Sequence, residues 1–270
     1  MNEQENSGFK AVAIVTAVIG GIALAGAGAT AAFGAVHTVT RATDQSDRLD
    51  VDGVTELDVD ASAGDVSIRF GDVDQAELQV TGSDREWRLE RDEDELRLYS
   101  PERWWGWGGD WSWFGGWGRD EHVELVLPQA LAGLDADVTL SAGSLDVEGD
   151  FGELGADVSA GSLWIDGTAD SLDADLSAGD AEINLADVRE ASFGVAAGDL
   201  DAALTGEAPS DVEIDVSAGS LTLTLPDVEY NVTQDVSAGS LDNGLQTSSN
   251  ARSTVFVELS AGSVELRPAG

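Results

Sequence analysis

The most regularly spaced reactive side chains in the 270-residue chain are serines. The triplet Ser-Ala-Gly begins at Ser62, Ser141, Ser159, Ser177, Ser217, Ser237 and Ser260. A serine hydroxyl becomes a nucleophile only when a neighbouring base takes its proton and a third group orients that base. The chain has two histidines, His37 and His122, and no triplet forms a G-x-S-x-G turn. A hydrolase triad therefore has almost no material. Metal chemistry is equally short of ligands, because there is no cysteine, which also excludes disulfides. Asp50-Val51-Asp52 and Asp58-Val59-Asp60 place paired acids on one strand face, without the Gly-x-Asp ligands of a calcium loop. No phosphate-binding loop or dinucleotide fingerprint occurs. No catalytic residue, cofactor site or metal site is predicted, and the chain reads as a non-enzyme.

The other concentration of chemistry is aromatic. Trp104, Trp105, Trp107, Trp111, Trp113, Phe114 and Trp117 lie in a Gly-rich stretch holding six of the eight tryptophans. Glycine leaves such a loop adaptable, and each indole brings a large apolar face and one N–H donor. The loop, residues 103–118, is the predicted interaction site, suited to a membrane interface, a surface glycan or an envelope protein. The competing reading is a lid of indoles over the open end of the repeat.

The repeat must position that loop. From Ser141 the triplets, with the degenerate copy Ala196-Ala197-Gly198, recur after 18, 18, 19, 21, 20 and 23 residues. A period of this kind marks a stacked-repeat architecture. In the unit from Asp137 to Gly149, Val138, Leu140 and Ala142 alternate with polar residues, and Leu145 and Val147 alternate after the glycine. Alternation describes a half-buried strand, but the parity slips by one across the triplet. A corner must absorb the slip, and glycine takes φ > 0 cheaply. The predicted corners are Gly64, Gly143, Gly161, Gly179, Gly198, Gly219, Gly239 and Gly262. The alanine is expected at a crowded inner corner, and the stacked serines as a hydroxyl ladder.

Two short strands cannot bury enough apolar surface to offset their own ordering, so unit must stack on unit. The predicted fold class is all-β, a single-stranded β-solenoid of stacked repeats preceded by one transmembrane helix. A stack of antiparallel hairpins turning at the triplet is the alternative, although Ala-Gly is poorer turn chemistry than Asn-Gly or Asp-Gly.

Residues 49–136 form irregular first coils, with strands expected at 66–70, 76–81, 87–91, 95–100 and 123–127. A β-hairpin is expected around Asp92-Glu93-Asp94. This region is expected to cap the membrane-near end, and residues 137–268 to form the regular repeat. The stretch from Phe256 to Pro268 reads as the last coil, its free edge blunted by Glu258, Glu265 and Arg267-Pro268.

Before the repeat come a short tail (1–10), an apolar segment (11–36) and a linker (37–48). Ala11 to Val36 carries no charge and as a helix would be roughly 39 Å long, enough to span a bilayer. Its length favours a retained single-pass helix with the β domain outside. A cleaved signal peptide, cut near Ala27-Gly28-Ala29 or Ala29-Thr30-Ala31, is the alternative. Fifty-two acidic against thirteen basic residues, a net charge of -39, repel nucleic acid phosphates, so no nucleic acid partner is expected.

The units Asp215-Val216-Ser217-Ala218-Gly219-Ser220-Leu221 and Asp235-Val236-Ser237-Ala238-Gly239-Ser240-Leu241, behind one apolar helix, resemble the bacterial putative-adhesin family of β-strand-repeat proteins, a domain of unknown function. The resemblance covers roughly Leu49 to Pro268 and looks like its actinobacterial members. It implies a solenoid-like fold at the cell surface, anchored in the cell membrane, with some relatives encoded near envelope-stress systems. The functional expectation is an adhesin or envelope scaffold. The alternative is an accessory protein of an envelope-stress sensor, and oligomeric state stays open.

Overall fold

A computed structural model describes residues 44–83, 85–101 and 121–270. The apolar segment 11–36 and the tryptophan loop 103–118 lie outside the described residues. Among the described residues no helix is long and apolar enough to cross a membrane.

Twenty strands join in one mixed sheet. The first seven are β1 (Asp44–Leu49), β2 (Glu56–Ala61), β3 (Gly64–Gly71), β4 (Ala76–Thr81), β5 (Arg88–Asp92), β6 (Glu95–Tyr99) and β7 (His122–Pro128). The repeat continues as β8 (Leu134–Leu140), β9 (Gly143–Val158), β10 (Gly161–Leu176), β11 (Gly179–Ala186), β12 (Glu190–Val195), β13 (Asp199–Thr205), β14 (Asp211–Val216) and β15 (Gly219–Leu225). Last come β16 (Glu229–Val236), β17 (Ser240–Asn243), β18 (Gln246–Thr247), β19 (Ser253–Leu259) and β20 (Gly262–Pro268).

The segments immediately before and after a triplet do not pair with each other. Each pairs in parallel with its equivalent in the neighbouring unit. Strands that precede the triplet form one ladder in the order β6, β2, β8, the second half of β9, the second half of β10, β12, β14, β19 and β16. Strands that follow it form a second ladder in the order β7, β3, the first halves of β9 and β10, β11, β13, β15, β20 and β17. The hairpin stack is therefore overturned. A hairpin at Ser-Ala-Gly would have set the flanking strands antiparallel and hydrogen-bonded to one another.

All eight predicted corner glycines have positive φ, from 115° to 154°. They also stack on one another, in the order Gly64, Gly143, Gly161, Gly179, Gly198, Gly219, Gly262 and Gly239. A Cβ on Gly161 would lie 2.0 Å from the carbonyl oxygen of Gly143, and one on Gly143 the same distance from that of Gly64. Backbone conformation and close stacking thus demand glycine independently.

Two details of the corner differ from expectation. Leu140 and Leu145 are both buried, and the residues between them face outward. Ala142, Ala160, Ala178, Ala197, Ala218, Ala238 and Ala261 are accordingly exposed, because the triplet bulges away from the core. The serines stack through their backbones: Ser159 N–H donates to Leu140 O at 2.9 Å, and Ser177 N–H to Val158 O at 2.8 Å. Side-chain bonding falls instead to the serine after the glycine, where Ser144 Oγ donates to Asp65 Oδ1 at 2.5 Å.

The chain leaves sequential order at both ends of the ladders. Unit β6–β7 lies outside β2–β3, although it follows in sequence. Unit β19–β20 inserts between β14–β15 and β16–β17. The C-terminal stretch expected to carry the blunted free edge is therefore interior. The uncovered unit is β16–β17, because β19 and β20 supply longer apolar rows that satisfy both neighbours: Val255, Val257, Leu259, Val264 and Leu266 are all buried.

At the opposite end the sheet turns antiparallel. β4 pairs with β7, β1 with β4, and β5 with β6. The β5–β6 connection is a two-residue turn between Asp92 and Glu95, with Glu93 at φ 57°. Inward rows from both ladders merge into one apolar cluster that includes Trp87, Phe193 and Tyr230.

Candidate functional site

Outward positions of the second ladder carry the chemistry. Parallel in-register pairing sets equivalent residues about 4.8 Å apart along the stack. One column runs Asp65, Ser144, Ser162, Asp180, Asp199, Ser220. The next runs Ser67, Asp146, Trp164, Glu182, Asp201, Thr222. From Ser144 and Asp146 to Ser220 and Thr222 the two columns line an open groove of about 530 Å³ whose walls contain no basic side chain.

Trp164 is half-buried at its centre, with Asp146 on the neighbouring strand to one side and Glu182 to the other. Partial burial, and then the Glu148 carboxylate, raise the Asp146 carboxyl above its usual range. Ser220 Oγ donates to Asp199 Oδ1 at one end of the groove and Ser144 Oγ to Asp65 at the other. The arrangement offers an indole face, carboxylate acceptors and hydroxyls. It suits a neutral polar ring or a cation and repels anions. The parallel register gathers these outward carboxylates and hydroxyls along one groove.

The first ladder has a more crowded acidic face. Asp137, Asp157, Asp173, Asp175, Glu213 and Asp215 face outward on neighbouring strands. Burial raises the Asp157 carboxyl, helped by Asp173 and Asp137, and raises Asp175, helped by Asp173, Asp157 and Asp215. Glycines in this face leave room for carboxylates to lie across them. A Cβ on Gly194 would fall 1.9 Å from Asp175 Oδ1, and one on Gly155 would fall 2.2 Å from Asp137 Oδ1. Among the described residues no group of three or more His, Asp or Glu side chains is placed to hold a metal ion.

Of the residues singled out from sequence, the corner glycines form the stacked column beside the groove. Trp104, Trp105, Trp107, Trp111, Trp113, Phe114 and Trp117 lie outside the described residues. Trp164 was missed. Its signal was available in the alignment of units on their triplets: the third residue after the glycine is Ser67, Asp146, Glu182, Asp201, Thr222, Asp242 or Glu265 elsewhere, and tryptophan only here.

No protein-family model and no curated protein matches the chain. It is similar to several solved structures at low identity. A protein described as a putative adhesin from Parabacteroides distasonis is 13% identical, with a TM-score of 0.40 over 83% of this chain and 96% of that one. Another so described, from Bacteroides fragilis, is 12% identical, with a TM-score of 0.38 over 83% and 96%. A protein described as a putative cell adhesion protein from Clostridium sporogenes is 10% identical, with a TM-score of 0.34 over 84% and 99%.

Proposed function

We propose that the chain is a non-enzymatic β-solenoid of the cell surface, anchored by residues 11–36, that acts as an adhesin or envelope scaffold by displaying the Trp164 groove. The carrying observation is the in-register column that holds Trp164 between Asp146 and Glu182 on an exposed, rigidly stacked face. Each Ser-Ala-Gly unit repeats the same two strands and the same corner, so sequence variation is spent on outward positions, as in other repeat proteins that bind along one face. Hydroxyls, carboxylates and one indole fit a surface glycan or a cationic stretch of an envelope protein. The uncharged run of 26 residues from Ala11 to Val36 supports the anchor.

Whole cells displaying the full chain are tested for binding to immobilised envelope material, against a Trp164→Ala variant. Binding that drops about tenfold is the expected result for loss of a stacking platform. Equal binding by both would sink the groove as the contact site. Protease shaving of intact cells tests topology separately, and a β domain protected from the protease would overturn the surface location.

A further inference from the structure

The two ends of the ladders are finished differently. At one end the outermost strands are β1 and β5, and β5, Arg88–Asp92, carries four charges in five residues: Arg88, Glu90, Arg91 and Asp92. Charge on an edge strand is a standard block against pairing with another chain. At the other end the outermost unit is β16–β17. Its outer side meets β18 only at Glu229 and Tyr230. Beyond that, among the described residues, no strand covers it. From Tyr230 to Gln234 the edge has no charge, no proline and no lysine, in a chain of net charge -39.

The inward row of this unit is also unfinished. Val232, Val236 and Leu241 stand in register with the buried Val255, Leu259 and Val264. Val236 nevertheless remains 36% exposed, because nothing stacks on its other side. Gln234 and Asn243 occupy the positions of the buried Val257 and Leu266, which keeps the end soluble when it is alone. Their amides each carry a donor and an acceptor and so can pair with like groups.

Asp235 to Leu241 repeats Asp215 to Leu221 residue for residue. The inner copy is stacked on both sides by this chain's own units. The outer copy is stacked on one. We propose that the uncovered edge of β16–β17 pairs with the same edge of a second copy of this chain, giving an end-to-end dimer. The charged β5 edge disfavours a head-to-tail array, so the contact closes on a two-fold axis with antiparallel edges. The acidic side faces keep copies apart laterally, which leaves the uncharged stretch 230–234, between Glu229 and Asp235, as the place of least repulsion.

The absence of cysteine makes a clean test. Asn231→Cys, Thr233→Cys and Asp235→Cys are made singly in the full chain, oxidised in native membranes and compared with Glu90→Cys on β5. At least one edge variant is expected to cross-link about tenfold more than the β5 control, since a disulfide forms only when Cα atoms approach within about 7 Å. Adding Val236→Lys, an inward-pointing charge, is expected to reduce that yield about tenfold. Cross-linking of all three edge variants at the level of Glu90→Cys would overturn the proposal, as would a yield unmoved by Val236→Lys. Far-UV circular dichroism of each purified variant verifies folding, so that the Asp235→Cys variant can replace any that unfolds.

Discussion

Trp87 Nε1 donates to Glu121 Oε1 at 2.6 Å, and Ser83 Oγ donates to the same oxygen at 2.7 Å. Trp87 and Ser83 are both buried, so one carboxylate satisfies two donors withdrawn from water. Glu121→Ala leaves the Trp87 indole N–H unpaired, while Ser83 Oγ can still donate to Arg85 O, and is expected to cost about 2–3 kcal/mol. In a domain of this size that lowers Tm by roughly 4–12 °C. Glu121→Gln keeps an acceptor and should recover most of the loss. Thermal melts of the two variants decide it, and equal losses would show that the side-chain oxygen is not what matters.

The glycine column gives a sharper contrast. Gly161→Ala puts a methyl 2.0 Å from Gly143 O at φ 133°, combining overpacking with a backbone region almost reserved for glycine. It is expected to destabilise by about 2–5 kcal/mol. Gly133 also has positive φ, 89°, but a Cβ there meets nothing within 4 Å. Gly133→Ala should cost only about 1 kcal/mol. Denaturant midpoints of the pair separate stacking from backbone strain.

Much of this fold was legible because period and parity are local. The alternation of Val138 and Leu140, then Leu145 and Val147, identified two strands per unit, and the slip identified glycine as the corner. The outward bulge of Ala142 was not legible, since alanine is compatible with either side of a corner. Nor was the insertion of β19–β20 under β16–β17. The segments Asp215 to Leu221 and Asp235 to Leu241 are identical, so local sequence cannot say which neighbour each will choose. The difference lies in the inward rows, where Gln234 and Asn243 replace Val257 and Leu266 in the outermost unit. Trp164 was hidden for another reason: one outward tryptophan has no pattern until register sets it between Asp146 and Glu182.

The acidic face of the first ladder predicts a pH response. Asp157, Asp175 and Glu213 are all raised, first by burial and then by neighbouring carboxylates. A folded-state pKa above the unfolded value means that the folded chain binds more protons between the two. Stability therefore falls as pH rises through that window, just above the ordinary carboxylate range, and returns on acidification. Tm should rise as pH is lowered from neutrality through the range just above the ordinary carboxylate value, and at fixed neutral pH it should rise with added salt, which screens the exposed part of the repulsion. Asp175→Asn should raise Tm at neutral pH and flatten the profile. A Tm indifferent to pH, salt and this substitution would contradict the reading.

Tyr230 supplies the opposite end of the scale. It is fully buried within the outermost unit, and its hydroxyl donates to Pro226 O at 3.0 Å. Burial, and then the Asp227 carboxylate, push the phenol up to about 12. The folded chain therefore keeps this proton where the unfolded chain loses it. Tyr230 thus weakens the fold progressively as pH rises above the ordinary phenol value, with the full effect above about 12. The chain has two tyrosines, so in a Tyr99→Phe background the tyrosinate absorbance reports Tyr230 alone. That signal should stay flat through the ordinary phenol range while circular dichroism is native, and then appear together with unfolding. Tyr230→Phe should remove this alkaline step at a cost of about 1 kcal/mol at neutral pH. Reversible ionisation near the ordinary phenol value in the native protein would show that the outermost unit opens to water, and that Tyr230 is not sealed by it.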